Sequence, residues 1–101
     1  MSQSFSLAFR IEPTHPCLAG HFPGQPLVPG VILLEQVARG LRVWRAQRVV
    51  RVLEAKFVAP LLPGEQAMVS LAPMETGAAS VRFEVRRDGA LLARGVIEGA
   101  T

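Results

Sequence analysis

The chain has 101 residues, of which half are apolar and 19% are charged. This length and composition favour one globular domain over residues 1–101 and exclude a disordered chain or two independent cores. The formal charge of +3 comes mainly from arginine. Because the arginines are not interleaved with exposed aromatic residues, and no binding motif is visible, we expect no nucleic-acid partner.

The cellular context follows from what the sequence lacks. Cys17 is the only cysteine, so no internal disulfide can form, and we interpret it as a small buried apolar residue. No apolar run approaches the ~20 residues of a membrane span. No segment has the layout of a signal peptide. We therefore expect a cytoplasmic protein without a membrane span.

The first predicted element is a strand over residues 4–11, where apolar and more polar residues alternate strictly from Phe5 to Ile11. Five prolines and two glycines follow within residues 12–29. Proline fixes the backbone and removes hydrogen-bond donors, so this stretch is neither helix nor central strand. We predict an ordered loop, which at this length usually has a function.

A helix is predicted over about residues 30–46. Pro29 suits the first turn of a helix. Apolar residues then recur at spacings of three and four from Leu34 to Trp44, and Ile32 and Leu33 widen the apolar stripe. A stripe this broad predicts that the helix is largely buried.

Four strands are predicted after the helix. Residues 49–58 are rich in β-branched side chains, and residues 67–71 and 81–85 alternate between apolar and polar. Asp88-Gly89 is typical of a two-residue hairpin leading into a final strand at about residues 91–98. This order predicts an α+β fold, in which an antiparallel sheet packs one face against a single long helix.

Two side chains able to transfer protons flank the start of the helix. His21 lies in the proline-rich loop, and Glu35 lies on the first turns of the helix. The backbone N–H groups of Gly30 and Val31 lack intrahelical partners and lie at the positive end of the helix dipole, where they can polarise a carbonyl. A base, an acid and these donors fit an elimination or a hydration next to a carbonyl. The alternatives are a structural histidine and a solvated glutamate.

The arginines and the apolar content are both relevant to whether the chain binds other proteins. Arg39, Arg42, Arg45 and Arg48 recur every third residue, followed by Arg51. They form either a solvated face or a docking surface for an acidic protein or phosphate groups. A small chain that is half apolar favours a symmetric dimer. Such a dimer would supply His21 of one chain and Glu35 of the other to one site.

Residues 20–35 read Gly-His-Phe-Pro-Gly-Gln-Pro-Leu-Val-Pro-Gly-Val-Ile-Leu-Leu-Glu. This segment strongly resembles the active-site segment of the β-hydroxyacyl-acyl-carrier-protein dehydratases, which have a hot-dog fold. The glutamate at position 35 is similar to the dehydratase-only branch rather than to the aspartate-bearing branch. Residues 55–57, Pro60 and residues 63–65 resemble the family's strand after the central helix. The resemblance covers most of residues 9–98.

The resemblance implies one hot-dog domain, with an antiparallel β-sheet wrapped around one long central helix, and two subunits sharing two sites. The substrate would be a (3R)-3-hydroxyacyl thioester on the 4'-phosphopantetheine of acyl carrier protein, dehydrated to the trans-2-enoyl thioester without a metal or a further cofactor. His21 would take the C2 proton, and Glu35 of the other subunit would protonate the leaving C3 hydroxyl. Gly30, beside Val31, would hold the thioester carbonyl. The substrate loop would comprise Phe22, Pro23, Gly24 and Pro29.

The acidic carrier protein gives the arginines a partner, so the resemblance favours docking through Arg39, Arg42, Arg45 and Arg48. Arg39 stands where the family usually has glutamine, and it can either pair with Glu35 at (i, i+4) or point toward the carrier phosphate. The short length is similar to that of relatives in specialised pathways such as polyene assembly, as against fatty-acid synthesis. Two alternatives remain: a thioesterase on the same fold, and a non-catalytic subunit of a heterodimeric dehydratase.

Overall fold

The computed structural model describes residues 4–13, 27–75 and 77–101, and within them one helix and five strands. The elements follow the predicted order, and β3, β4 and β5 extend beyond the predicted bounds. Their bounds are β1 Phe5–Arg10, α1 Gly30–Arg45, β2 Arg48–Phe57, β3 Gln66–Met74, β4 Gly77–Arg87 and β5 Ala90–Ala100.

The strands form one antiparallel sheet in the order β1-β3-β4-β5-β2. The two strands that flank α1 in the chain, β1 and β2, therefore lie at opposite edges of the sheet. The helix connects these edges and packs across one face of the sheet. This arrangement confirms the predicted α+β architecture and brings the start of the helix close to the end of β2.

The core lies between α1 and the sheet. Alternate residues of β4 (Val81, Phe83 and Val85) are buried, as the period of two predicts. From the helix, Val37 and Leu41 are buried at a spacing of four residues. The remaining core side chains include Ile32, Leu33, Val69, Leu71, Leu92 and Ile97.

The prediction that the helix is largely buried is wrong for one of its faces. Val31 and Val43 are each 61% exposed, and Glu35, Arg39 and Arg42 are also exposed. Within one chain the helix has a sheet on one side only, so its opposite face has nothing to pack against.

Local backbone geometry sets the ends of the helix and of the last hairpin. Pro29, in extended conformation, precedes the helix, and its carbonyl accepts a hydrogen bond from Ile32 N at 2.9 Å. Ala46 ends the helix with a left-handed φ of 57° and donates to Arg42 O. Asp88 and Gly89 both have positive φ, at 51° and 84°, which confirms the predicted hairpin.

The edge strand β2 pairs with β5 alone in the described residues and carries two register shifts, between Val49 and Arg51 and between Val52 and Glu54. Bulges of this kind bend and twist a strand. Val50 and Leu53 fall at the two shifts, and both are exposed together with Val52. The sheet therefore presents a long exposed edge, on which these apolar residues lie beside charged ones such as Arg51 and Lys56.

Candidate functional site

The start of α1 opens onto an apolar pocket with a volume of about 480 Å³. Gly30 and Leu33 line it from the helix, and Val28 lines it from the segment just before the helix. The facing wall is the segment after β2, which contributes Val58, Ala59, Pro60 and Leu61. A helix N-terminus, whose first N–H groups have no partner within the helix, can hold a carbonyl at the mouth of an apolar pocket that takes an apolar substituent.

Phe57, the last residue of β2, lies directly against Gly30. A Cβ built on Gly30 would come within 2.8 Å of Phe57 Cζ, which is closer than carbon atoms approach. Any side chain at position 30 would therefore have to displace the Phe57 ring. In the sequence Phe57 was only part of the family resemblance, and its contact with Gly30 depends on tertiary structure.

Backbone hydrogen bonds fasten the pocket wall to its neighbours. Val28 N donates to Leu61 O at 2.9 Å, which ties the entry to the helix to the segment after β2. Val58 N and Ala59 N both donate to Leu92 O, at 2.7 and 3.2 Å. The pocket is thus built from two irregular segments held by ordered backbone contacts.

Glu35 lies on the exposed face of α1 and does not line this pocket. It is five residues after Gly30, which turns it about 140° around the helix axis. Its apolar neighbours in sequence, such as Leu33 and Val37, belong to the buried face. In a single chain Glu35 is therefore exposed to solvent, as in the alternative of a solvated glutamate. Val31 lies four residues before Glu35 on the same exposed face.

Several predicted site residues lie outside the described residues. These are His21, Phe22, Pro23 and Gly24, together with Cys17. Their assignment as base, substrate loop and buried thiol therefore stays a prediction. Pro29 is described, and it stands immediately before Gly30 at the helix start.

The arginines of α1 have different surroundings. Arg39 Nη1 donates to Gln36 Oε1 at 3.4 Å, and the described residues show no ion pair between Arg39 and Glu35. The Arg45 guanidinium lies 4.1 Å from the centre of the Trp44 ring, a cation–π contact. Trp44 in turn stacks on Phe5.

The four predicted docking arginines differ in their exposure to solvent. Arg39, Arg42 and Arg48 are exposed, whereas Arg45 is partly buried against Trp44. The exposed arginines are the ones able to meet an acidic surface directly.

Two further features are absent from residues 4–13, 27–75 and 77–101. These ranges contain no cluster of three or more His, Cys, Asp or Glu side chains arranged to ligate a metal ion. They also contain no helix that combines the length and the apolar character needed to cross a bilayer.

Sequence comparisons relate the chain to known dehydratases. The model of the family described as ApeI-like, ApeI dehydratase, matches residues 1–96. A 3-hydroxyacyl-[acyl-carrier-protein] dehydratase, FabZ of Histophilus somni, is 33% identical over 100 residues, an alignment that covers 81% of this chain and 66% of that protein. FabZ of Haemophilus influenzae is 29% identical, with 81% and 68% covered. The chain thus spans about two thirds of the length of these curated relatives.

Solved structures with the same architecture confirm the predicted hot-dog fold. The Dehydratase Heterocomplex ApeI:P from Xenorhabdus doucetiae matches with a TM-score of 0.81 at 22% identity, covering 100% of this chain and 95% of that one. An uncharacterized protein from Erwinia carotovora subsp. atroseptica matches at 0.79 and 27% identity, with 98% and 84% covered. A 1,4-dihydroxy-2-naphthoyl-CoA thioesterase from Synechocystis matches at 0.72 and 15% identity, with 97% and 81% covered.

Proposed function

This chain belongs to the ApeI-like dehydratase family, and on that premise we propose that it removes water from (3R)-3-hydroxyacyl thioesters carried by acyl carrier protein. The product is the trans-2-enoyl thioester. The observation that carries the proposal is the glycine at the helix start, Gly30, which opens onto an apolar pocket. The FabZ relatives, whose names state this substrate class, support the assignment.

In the proposed reaction the Gly30 N–H, next to that of Val31, donates to the thioester carbonyl and stabilises the charge that develops on its oxygen. His21 accepts the C2 proton as general base, and the carboxyl group of Glu35 gives a proton to the C3 hydroxyl. The C3–O bond breaks, the C2–C3 double bond forms and water leaves. Proton exchange with solvent restores both side chains.

The proposed site needs two chains, because Glu35 faces away from the pocket of its own chain. Antiparallel pairing of two β2 edges would cover Val50 and Leu53, complete the backbone hydrogen bonds of the edge and set the two helices side by side. Glu35 of one chain would then meet the loop and pocket of the other. The second chain is either another copy or a related dehydratase subunit, and the similar assembly from Xenorhabdus doucetiae is a dehydratase heterocomplex.

The proposed substrate also requires a docking surface. The 4'-phosphopantetheine arm delivers the acyl group, and no other cofactor takes part. Acyl carrier protein is acidic, and the exposed Arg39, Arg42 and Arg48 present complementary charge beside the helix. Arg45 extends this surface from its position on Trp44.

The test is turnover of a 3-hydroxyacyl carrier-protein thioester followed by mass spectrometry. We expect the wild type to remove one water and His21→Ala and Glu35→Gln to lose this activity. Hydrolysis of the thioester instead would move the protein to the thioesterases. No reaction by a pure homodimer across several chain lengths would indicate a missing partner subunit. Saturated and polyene substrates in the same assay distinguish fatty-acid from polyene-type assembly.

A further inference from the structure

A polar clasp, formed by Arg87, Glu65 and the Pro60 carbonyl, lies behind the pocket wall. Arg87, the last residue of β4, donates from Nη1 to Pro60 O at 3.0 Å and to Glu65 Oε1 at 3.1 Å. The same carboxylate oxygen accepts a hydrogen bond from Leu62 N at 2.8 Å. One arginine nitrogen and one carboxylate oxygen thus fasten residues 60–65 to the sheet.

The segment held by the clasp lines the pocket. Pro60 and Leu61 are both wall residues. Leu61 O also accepts the hydrogen bond from Val28 N, two residues before Gly30. A continuous set of contacts therefore runs from Arg87 through Pro60 and Leu61 to the start of the helix.

The segment between β2 and β3 has no helix or strand of its own, so its position depends on a few contacts. Its first residues are anchored separately, by Val58 N and Ala59 N on Leu92 O, and its far end by Gly64 N, which donates to Ile11 O at 2.8 Å. Between these backbone anchors, the clasp holds Pro60. The Arg87 and Glu65 side chains are only 28% and 34% exposed, so their pair is less screened by solvent than an ordinary surface ion pair. Within the clasp, the hydrogen bond from Arg87 holds the Pro60 carbonyl in place.

We propose that Arg87 and Glu65 are positioning residues that hold the pocket wall and, through Leu61 and Val28, the start of α1 that presents the Gly30 N–H. This inference rests on the proposed function. Arg87 and Glu65 belong neither to the proton-transfer pair nor to the docking surface for the carrier protein, yet turnover would depend on both.

The kinetic test compares Arg87→Ala with Arg86→Ala, a matched control on the same strand. Arg86 donates hydrogen bonds to Glu84 Oε1 on the same strand and to Gly89 O in the hairpin turn. None of these three residues lines the pocket. We expect Arg87→Ala to lower kcat/KM about tenfold, since small displacements of a substrate-positioning wall are costly, and Arg86→Ala to leave it unchanged. Equal losses in the two variants would overturn the proposal.

Conservative variants guard against a general folding defect. Both bonds of Arg87 come from one terminal nitrogen, so the single ammonium of Arg87→Lys should restore most of the activity lost in Arg87→Ala. Glu65→Gln keeps an acceptor for Leu62 N but loses the charge, so its kcat/KM should lie between wild type and Arg87→Ala. Loss in Arg87→Lys as deep as in Arg87→Ala would contradict the clasp.

Amide hydrogen exchange supplies a readout that does not depend on activity. In Arg87→Ala we expect the amides of Val28 and Leu62 to exchange faster, while those of Val58 and Ala59, anchored on Leu92, stay protected. An unchanged Val28 amide would overturn the proposal even if turnover fell. If wild type shows no dehydration, the proposed function fails, and the exchange pattern still decides whether the clasp holds the helix start.

Discussion

The ring of Phe57 lies against Gly30 at the point where α1 begins and the pocket opens. We expect the two residues together to set how closely a bound carbonyl could approach the first N–H groups of the helix. Phe57 is 49% exposed, so its ring has room to move when it is pushed. A side chain at position 30 would therefore narrow the pocket more than it would disturb the core.

Gly30→Ala separates this steric effect from the hydrogen bond, because alanine keeps the backbone N–H. We expect the free energy of unfolding to change by no more than about 1 kcal/mol, while kcat/KM falls about tenfold or more as the methyl group and displaced ring occupy the pocket. Urea unfolding and steady-state turnover measure the two effects. Phe57→Ala in the Gly30→Ala background should recover part of the activity, and wild-type turnover by Gly30→Ala would contradict this account.

Single residues show where reasoning from sequence ends. The place of Glu35 on the first turns of the helix follows from local periodicity, and the structure confirms it. Its exposure does not follow, because only the tertiary fold decides which face of a helix meets the sheet. The pairing of Arg87 with Glu65 is harder still to predict from the sequence. The two residues are 22 positions apart, and several other arginines could have paired with that carboxylate.

At the scale of elements, α1 has one face in the core and one free. Leu41 is fully buried, whereas Val43, two residues later, is 61% exposed. We expect Leu41→Ala to lower the free energy of unfolding by about 2–5 kcal/mol, through lost burial and the cavity it leaves. Val43→Ala, the control on the exposed face, should change it by less than about 0.5 kcal/mol. Equal effects in urea unfolding would contradict the packing described.

The free face of α1 also carries Arg39 and Arg42, two of the arginines proposed to dock the carrier protein. Arg42→Glu should raise KM for a carrier-borne substrate about tenfold at low salt, and less at high salt where charges are screened. KM for the same acyl group on free pantetheine should not change. Arg10→Glu, an exposed arginine on β1, makes the same charge change elsewhere. A rise in KM with both substrates would place Arg42 at the acyl site instead.

The elements themselves were largely predictable because their signals are local. Period-two alternation, proline at the helix start and Asp88-Gly89 at the hairpin depend on neighbouring residues only, and each lies where predicted. The two register shifts in β2 were not predictable, since a bulge is defined by the partner strand. The strand order was not predictable either. The sequence pattern implied short connections between strands, but not that β1 and β2 form the two edges of the sheet.

At the scale of the whole molecule, the exposed edge of β2 is where we propose that a second chain pairs. Leu53 is 47% exposed at this edge, and Met68, in β3, is 44% exposed. Leu53→Lys places a charge where the second chain is proposed to pair, so we expect native mass spectrometry to show single chains and turnover to be lost. Met68→Lys, with similar exposure, should leave the assembly intact. A two-chain assembly that survives Leu53→Lys would place the interface elsewhere.

The central proposal is a dehydratase site shared between two chains, with His21 from one and Glu35 from the other, and two copies of this chain are its simplest form. The most direct measurement is turnover of a 3-hydroxyacyl carrier-protein thioester by equal amounts of His21→Ala and Glu35→Gln, unfolded together and refolded. Each variant alone should be inactive. The mixture should recover about one quarter of wild-type activity, because half of the randomly formed dimers are mixed and each holds one intact site of two. A mixture as inactive as its components, beside an active wild type refolded in the same way, would contradict the shared site.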